Sequence, residues 1–113
     1  MNPKFEVIFL EQAIEFVENL DNKTRMKIFY NIDKAKLTND PKLFKKLKDE
    51  IWEFRTKYSG IQIRLFAFWD KSAKTETLVI STHGIIKKVN KVPRSDIEKA
   101  EKLRIDYFNH KKL

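Results

Sequence analysis

Apolar and polar residues alternate weakly through Phe5-Glu6-Val7-Ile8-Phe9, a pattern that predicts a short first strand. The period then lengthens. Leu10, Ala13, Ile14, Val17 and Leu20 recur at three- and four-residue spacing, the stripe of an amphipathic helix. Asp21-Asn22 interrupts that stripe and is suited to cap a second helix. Ile28, Phe29, Ile32 and Ala35 form the apolar side of this helix, which stops before Asn39-Asp40-Pro41. Two antiparallel helices joined by a short turn are the expected arrangement.

Beyond Pro41 the period becomes two. Trp52, Phe54 and Tyr58 alternate with Glu53, Arg55 and Lys57. Ser59-Gly60 is a two-residue hairpin signal. Ile61, Ile63, Leu65, Ala67 and Trp69 continue on one face, with Gln62, Arg64, Phe66 and Phe68 on the other. A polar turn over Lys71 to Glu76 leads to a strand beginning Leu78-Val79-Ile80 and running towards His83-Gly84. Ser95 with Glu98 three residues later forms a capping-box pattern. It predicts a last helix whose buried side holds Ile97, Ala100, Tyr107 and Phe108, with His110-Lys111-Lys112 at its negative dipole end. The expected fold class is α+β: two N-terminal helices on one face of an antiparallel meander, with a C-terminal helix, in one domain spanning residues 1–113.

Composition narrows the function classes. The chain has 113 residues, nine of them Phe, which suits one modest core. Cysteine is absent, which excludes disulfides and thiolate metal sites and fits a reducing cytoplasm. Met1-Asn2-Pro3-Lys4 lacks the core of a signal peptide, and the longest apolar run, Ile63 to Trp69, contains Arg64 and is too short to span a bilayer. A cytoplasmic protein without a membrane partner is expected. The net charge of +8 makes nucleic acid the first partner to consider, ahead of an acidic protein, although solvated lysines alone also give such a surplus.

Counting across the hairpin gives the sharpest chemical feature. With Ser59-Gly60 as the turn, Tyr58 pairs with Ile61, Lys57 with Gln62, and Arg55 with Arg64. Arg55 and Arg64 then stand opposite each other on one face, with Lys57 nearby. Like charges so placed repel, so the pair either holds an anion, for which the arginine fork suits phosphate, or is neutralised by Glu53 on the same face, or is separated by a bulge that shifts the register. A second segment, His83 to Arg94, carries His83, Lys87, Lys88, Lys91 and Arg94. An imidazole can move protons near neutral pH, and Lys or Arg can stabilise a developing phosphorane. The alternative is a structural histidine and a solvated loop. A third segment, Lys42 to Lys48, interleaves Lys42, Lys45, Lys46 and Lys48 with Leu43, Phe44 and Leu47, as a lining for a nucleic-acid backbone or as an amphipathic turn. There is no Gly-rich phosphate loop, no Ser or Cys nucleophile pattern, and His83 and His110 lack metal-ligand spacing, so neither a metal nor a cofactor is expected.

These residues carry a resemblance. Ile51-Trp52-Glu53-Phe54-Arg55 resembles the Leu-Trp-Glu-Leu-Arg strand of RelE/HigB-type toxins of type II toxin–antitoxin systems, especially the phage-derived HigB-like branch of the RelE/ParE superfamily. Arg64 to Phe68 is similar to the strand that follows there. His83 to Pro93 is similar to their His-Gly segment rich in lysine, and Ser95 to Ala100 to the helix after it. The resemblance implies a RelE/ParE-like curved antiparallel sheet with two N-terminal helices on one face and a concave basic face opposite. It implies a metal-independent endoribonuclease cutting mRNA on the ribosome, with catalytic Arg55, Arg64, His83, Lys87 and Lys88. RNA-binding positions would be Lys45, Lys46, Lys48, Lys57, Lys91 and Arg94. It also implies an acidic antitoxin of helix-turn-helix type, with operator DNA bound only through the antitoxin complex. The chain departs from the pattern at Val89 and Val92, where threonines are usual, and at Ile85, where an aromatic is common. Some relatives use a tyrosine near the C-terminus; Tyr107 falls on the expected core side of the last helix. The alternatives are a gyrase-inhibiting toxin of ParE type and a non-catalytic RNA-binding module.

Overall fold

The computed structural model describes residues 2–88 and 90–111. The Val89 departure and Lys112 of the basic helix end lie outside the described residues, as do Met1 and Leu113. The elements follow in the order β1 (Glu6–Phe9), α1 (Glu11–Glu18), α2 (Asn22–Leu37), β2 (Phe44–Lys48), β3 (Ile51–Tyr58), β4 (Ile61–Asp70), β5 (Leu78–Lys87) and α3 (Arg94–Lys111). They build one five-stranded sheet in the order β1-β5-β4-β3-β2.

Two features correct the expected RelE/ParE-like layout of helices on a purely antiparallel sheet. The sheet is mixed, because β1 runs parallel to β5, pairing Val7 with Val79 and Phe9 with Ser81. Helices also cover both faces. On one side α1 and α2 press Val17, Ile28, Ile32 and Ala35 against Phe54, Ile63, Leu65 and Ala67. On the other, α3 presses Ala100, Ile97, Tyr107 and Phe108 against Phe66, Phe68 and Ile80. The cause lies in the central strands. In β5 the consecutive residues Val79, Ile80, Ser81 and Thr82 are all fully buried, and in β4 so are Leu65 through Phe68. Strands apolar at successive positions need cover on both faces, and each large side chain removed from water adds about 1.5–3 kcal/mol. A strand with only one helical layer would leave Phe66 and Phe68 in solvent.

The β3–β4 hairpin follows the sequence closely. Ser59 and Gly60 have φ of 51° and 77°, the left-handed geometry of a two-residue turn matched to strand twist. The register is Tyr58↔Ile61, Lys57↔Gln62, Arg55↔Arg64. Lys42 to Lys48 instead holds a true edge strand, β2, with a bulge between Lys46 and Lys48. A second bulge between β4 and β5 leaves Thr82 as the extra residue. The Ser81 hydroxyl donates to the Phe66 carbonyl at 3.2 Å, and Thr82 Oγ1 lies 3.3 Å from the same oxygen.

The last helix starts at Arg94, so Ser95 lies inside its first turn rather than at the cap. Glu98 pairs with Arg94 (3.0 Å) instead of closing a capping box. The far end of α3 is latched to buried Asp70, which accepts hydrogen bonds from Ser72 Oγ (2.5 Å), Tyr107 OH (2.7 Å) and Lys111 Nζ (2.9 Å). Burial opposes the Asp70 charge, but these donors outweigh it and hold the carboxyl well below the usual carboxylate range. Burial and the same carboxylate push the Tyr107 phenol up to about 12, so this tyrosine packs and latches. Among the described residues, no helix is long and apolar enough to cross a membrane.

Gly84 marks the closest approach of α1 to the sheet. A Cβ there would lie 2.4 Å from the Phe16 ring and 2.8 Å from Leu65 Cδ2. Gly84→Ala is expected to destabilise the fold by about 1–3 kcal/mol, the usual result of overpacking. Urea denaturation reads this directly, and an unchanged midpoint would mean that Phe16 swings aside freely.

Candidate functional site

The α3-facing side of the sheet is divided. α3 covers Ile51, Phe66, Phe68 and Ile80, while the half nearest the Ser59-Gly60 turn carries polar side chains. Register places these in rows across the strands. Lys57, Gln62 and Lys87 form the first row, and Arg55, Arg64 and Ile85 the second. Lys45, Glu53, Phe66 and His83 form the third.

Glu53 links the two arginines. Its Oε1 lies 3.2 Å from Arg64 Nε and its Oε2 3.6 Å from Arg55 Nε. Both Glu53 and Arg64 are buried, whereas the Arg55 side chain is 32% exposed. Arg64 Nη1 donates to the Ile63 carbonyl (3.1 Å) and Nη2 to Gln62 Oε1 (2.9 Å). Within the described residues the Arg64 Nε–H and Glu53 Oε1 make no hydrogen bond and meet as an ion pair. The arginines are opposed as the hairpin count predicts, and of the alternatives for them the structure shows the second, a pair bridged by Glu53.

Burial pushes the Glu53 carboxyl up, while Arg64, Arg55, Lys87 and Lys45 pull it back. Burial likewise lowers the Arg64 guanidinium, which stays charged because its ordinary value is far above neutrality. Lys87 is lowered too, by partial burial and then by the Arg64 charge. Four cations thus face one carboxylate, and the cluster keeps a positive excess. Beside it, Lys42, Arg55, Lys57, Gln62 and Arg64 border an open depression of about 360 Å³.

The other candidate residues separate. His83 is buried, stacked on Phe66 at 4.8 Å, with Nε2 3.0 Å from Asp96 Oδ1 and Nδ1 3.0 Å from Thr82 Oγ1. Burial lowers its pKa, so the neutral ring donates from Nε2 to Asp96 and ties α3 to β5. Lys88 is exposed just beyond β5, and Lys91 is exposed in the connection to α3. Lys46 pairs with Trp52 and so belongs to the opposite face. Lys48 and Arg94 border a separate groove with Ile97 and Glu98. Two partners escaped the sequence reading: Gln62, which holds Arg64, and Asp96, which lies in the first turn of α3 between the two residues of the capping-box pattern. Among the described residues, no group of three or more His, Asp or Glu is placed to hold a metal ion.

Residues 15–104 match the family described as Phage derived protein Gp49-like (DUF891). The chain belongs to the Gp49-like family. This is a toxin-type family related to RelE/HigB, and such toxins generally have an antitoxin partner. The matched span of the Gp49-like chain runs from α1 into α3 and contains every candidate residue above. A search of curated proteins finds no match.

The Gp49-like cluster predicts unequal costs for its two arginines. Arg64→Ala leaves Glu53 buried without its closest cation and is expected to cost about 3–5 kcal/mol. Arg55→Ala, at a half-open pair, is expected to cost less than about 1 kcal/mol. Chemical denaturation of both variants checks this, and equal costs would show that Glu53 is not held mainly by Arg64.

Proposed function

We propose that this Gp49-like protein is the toxin of a toxin–antitoxin pair and a metal-independent endoribonuclease that cuts mRNA on the ribosome. One observation carries the reading: Arg55, Arg64 and Lys87 gather on the half of the sheet that α3 does not reach, and among the described residues Glu53 is the one carboxylate paired with them. A site with a positive excess beside an open depression attracts phosphate and stabilises the extra charge of a phosphorane.

The roles follow from exposure. Arg55 reaches solvent and grips the scissile phosphate. Arg64, buried and tied to Gln62, positions Glu53 and adds its field from below. Lys87, whose amine loses its proton more readily than an ordinary lysine, accepts the ribose 2′-hydroxyl proton. The 2′-oxygen then attacks the adjacent phosphorus, the bond to the 5′-oxygen breaks, and that oxygen takes a proton from water. The products are a 2′,3′-cyclic phosphate and a free 5′-hydroxyl. Lys57 and Lys88 hold the flanking backbone. His83 supports the site by anchoring α3. An acidic segment of the antitoxin neutralises the same cations and excludes RNA.

Expression of the wild type is expected to arrest growth and produce new mRNA 5′ ends on ribosomes. Arg55→Ala and Lys87→Ala should lower cleavage by about 10²–10³-fold, the usual effect of losing one stabilising group, with unchanged far-UV circular dichroism. Arg64→Ala is the poorer probe because it also unsettles the fold. Toxicity that persists in the Arg55 and Lys87 variants, with supercoiling blocked and mRNA intact, would favour the gyrase-inhibiting alternative.

The protonation of Lys87 sets the pH dependence. Its lowered pKa means the neutral amine, the active base, accumulates as pH rises towards that value. Single-turnover cleavage should therefore rise with pH by about tenfold per unit below the pKa, and Lys87→Arg should flatten the slope. A wild-type profile already flat would remove Lys87 from proton transfer.

A further inference from the structure

A second concentration of chemistry lies on the opposite face of the sheet, at the β2 edge. Phe44 stacks on Trp52 with ring centroids 4.9 Å apart, Trp52 meets Trp69 edge-on at 5.5 Å, and Phe5 meets Trp69 at 5.2 Å. These four rings line a cavity of about 340 Å³. Trp52, Trp69 and Phe44 are only partly buried, so ring surface faces the opening. Lys4 and Lys46 stand at the mouth with Asp40, and Lys71 holds its ammonium 5.0 Å from the Trp69 centroid.

We infer that this cavity is a nucleobase-binding pocket that takes one base of a single-stranded RNA. The inference rests on the RNA-cleaving function proposed above. Aromatic rings give a base a stacking surface that tolerates any sequence, and the surrounding lysines meet the phosphates on either side of it. Asp40 Oδ1 accepts the Lys42 amide hydrogen at 2.9 Å, which fixes the carboxylate at the mouth as an acceptor for an exocyclic amino group. The connection to the arginine cluster is the edge strand itself. Lys45 pairs with Glu53 on the arginine face, and its neighbour Lys46 pairs with Trp52 on the aromatic face. Cations therefore run without a break around the sheet edge. A polymer with a phosphate and a base at every step matches that sequence of lysine, ring and arginine, whereas a peptide with one apolar anchor would use only the pocket.

Trp52 and Trp69 are the two tryptophans of the chain, so selective tryptophan excitation reads this pocket alone. Titrating hexa-adenylate RNA into the full chain should quench this fluorescence saturably. Lys46→Glu and Lys4→Glu, at exposed positions, should each weaken the apparent affinity by about tenfold, and Lys102→Glu, at an exposed position of α3 outside both sites, should leave the quench in place. Binding of labelled hexa-adenylate seen by anisotropy without a tryptophan response would overturn the pocket and leave the proposed nuclease standing. An equal response to inorganic tripolyphosphate would reduce the effect to charge and overturn base stacking. A response only to an acidic peptide bearing one phenylalanine would assign the cavity to a protein partner instead. Failure of the RNA to bind by either readout would overturn the pocket and the RNA reading together.

Discussion

The structure depends on one buried carboxylate. Arg55 and Arg64 are forced into opposition by the two-residue turn at Ser59-Gly60, and two guanidinium groups facing each other across a β-ribbon repel. Glu53 relieves this because it sits on the same face, two residues from Arg55 along its own strand and diagonal to Arg64 across the ladder. The relief is uneven. Arg64 is drawn inside, 3.2 Å from the carboxylate, while Arg55 keeps part of its guanidinium in water. With Lys87 and Lys45 also acting on Glu53, the cluster remains cationic, and the carboxylate preserves the site without cancelling it.

What keeps that half of the sheet bare is the placement of α3. Asp70 latches one end of the helix through Tyr107 and Lys111, and Asp96 latches the other end through His83. Between these points Phe66, Phe68 and Ile80 are covered and dry. The helix begins beside the His83 row, so α3 stops short of the rows that carry Arg55, Arg64 and Lys87. Partly buried polar pairs such as His83–Asp96 add modest stability but fix geometry, since leaving the buried imidazole without its partner is costly. The division of the face into a packed half and a charged half is thus set by two hydrogen-bonded clusters that lie outside the charged half itself.

Local signals in the sequence were the legible ones. A two-residue turn with clean alternation determines a hairpin register, and the positions of Arg55, Lys57, Gln62 and Arg64 followed by counting. Both N-terminal helices and the first strand showed their periods. The partner of that strand did not, because its pairing with β5 joins segments about seventy residues apart and leaves no local mark. β2 was hidden by its own edge chemistry: lysines that guard an exposed strand look like a solvated run, and a bulge breaks the alternation. Phe66 and Phe68 were visible as apolar residues on the face of Arg64, but only packing reveals that a helix covers them. The depth of Arg64 and His83 was likewise invisible, since residue type does not report burial.

The same edge strand explains why two chemically different surfaces form one continuous unit. Strand geometry sends successive side chains to opposite faces, so a run of lysines on a strand becomes two rows of charge, one on each side of the sheet. In the sheet interior such a run would strand one row in the core. At an edge both rows reach solvent, as Lys45, Lys46 and Lys48 do. β2 therefore satisfies two demands with one segment: its lysines discourage pairing with another sheet, and they carry positive potential from the arginine cluster to the aromatic cavity. Charge that protects the fold from edge-to-edge association is in this way placed on both faces of the sheet at once, beside the arginine cluster on one and the aromatic cavity on the other.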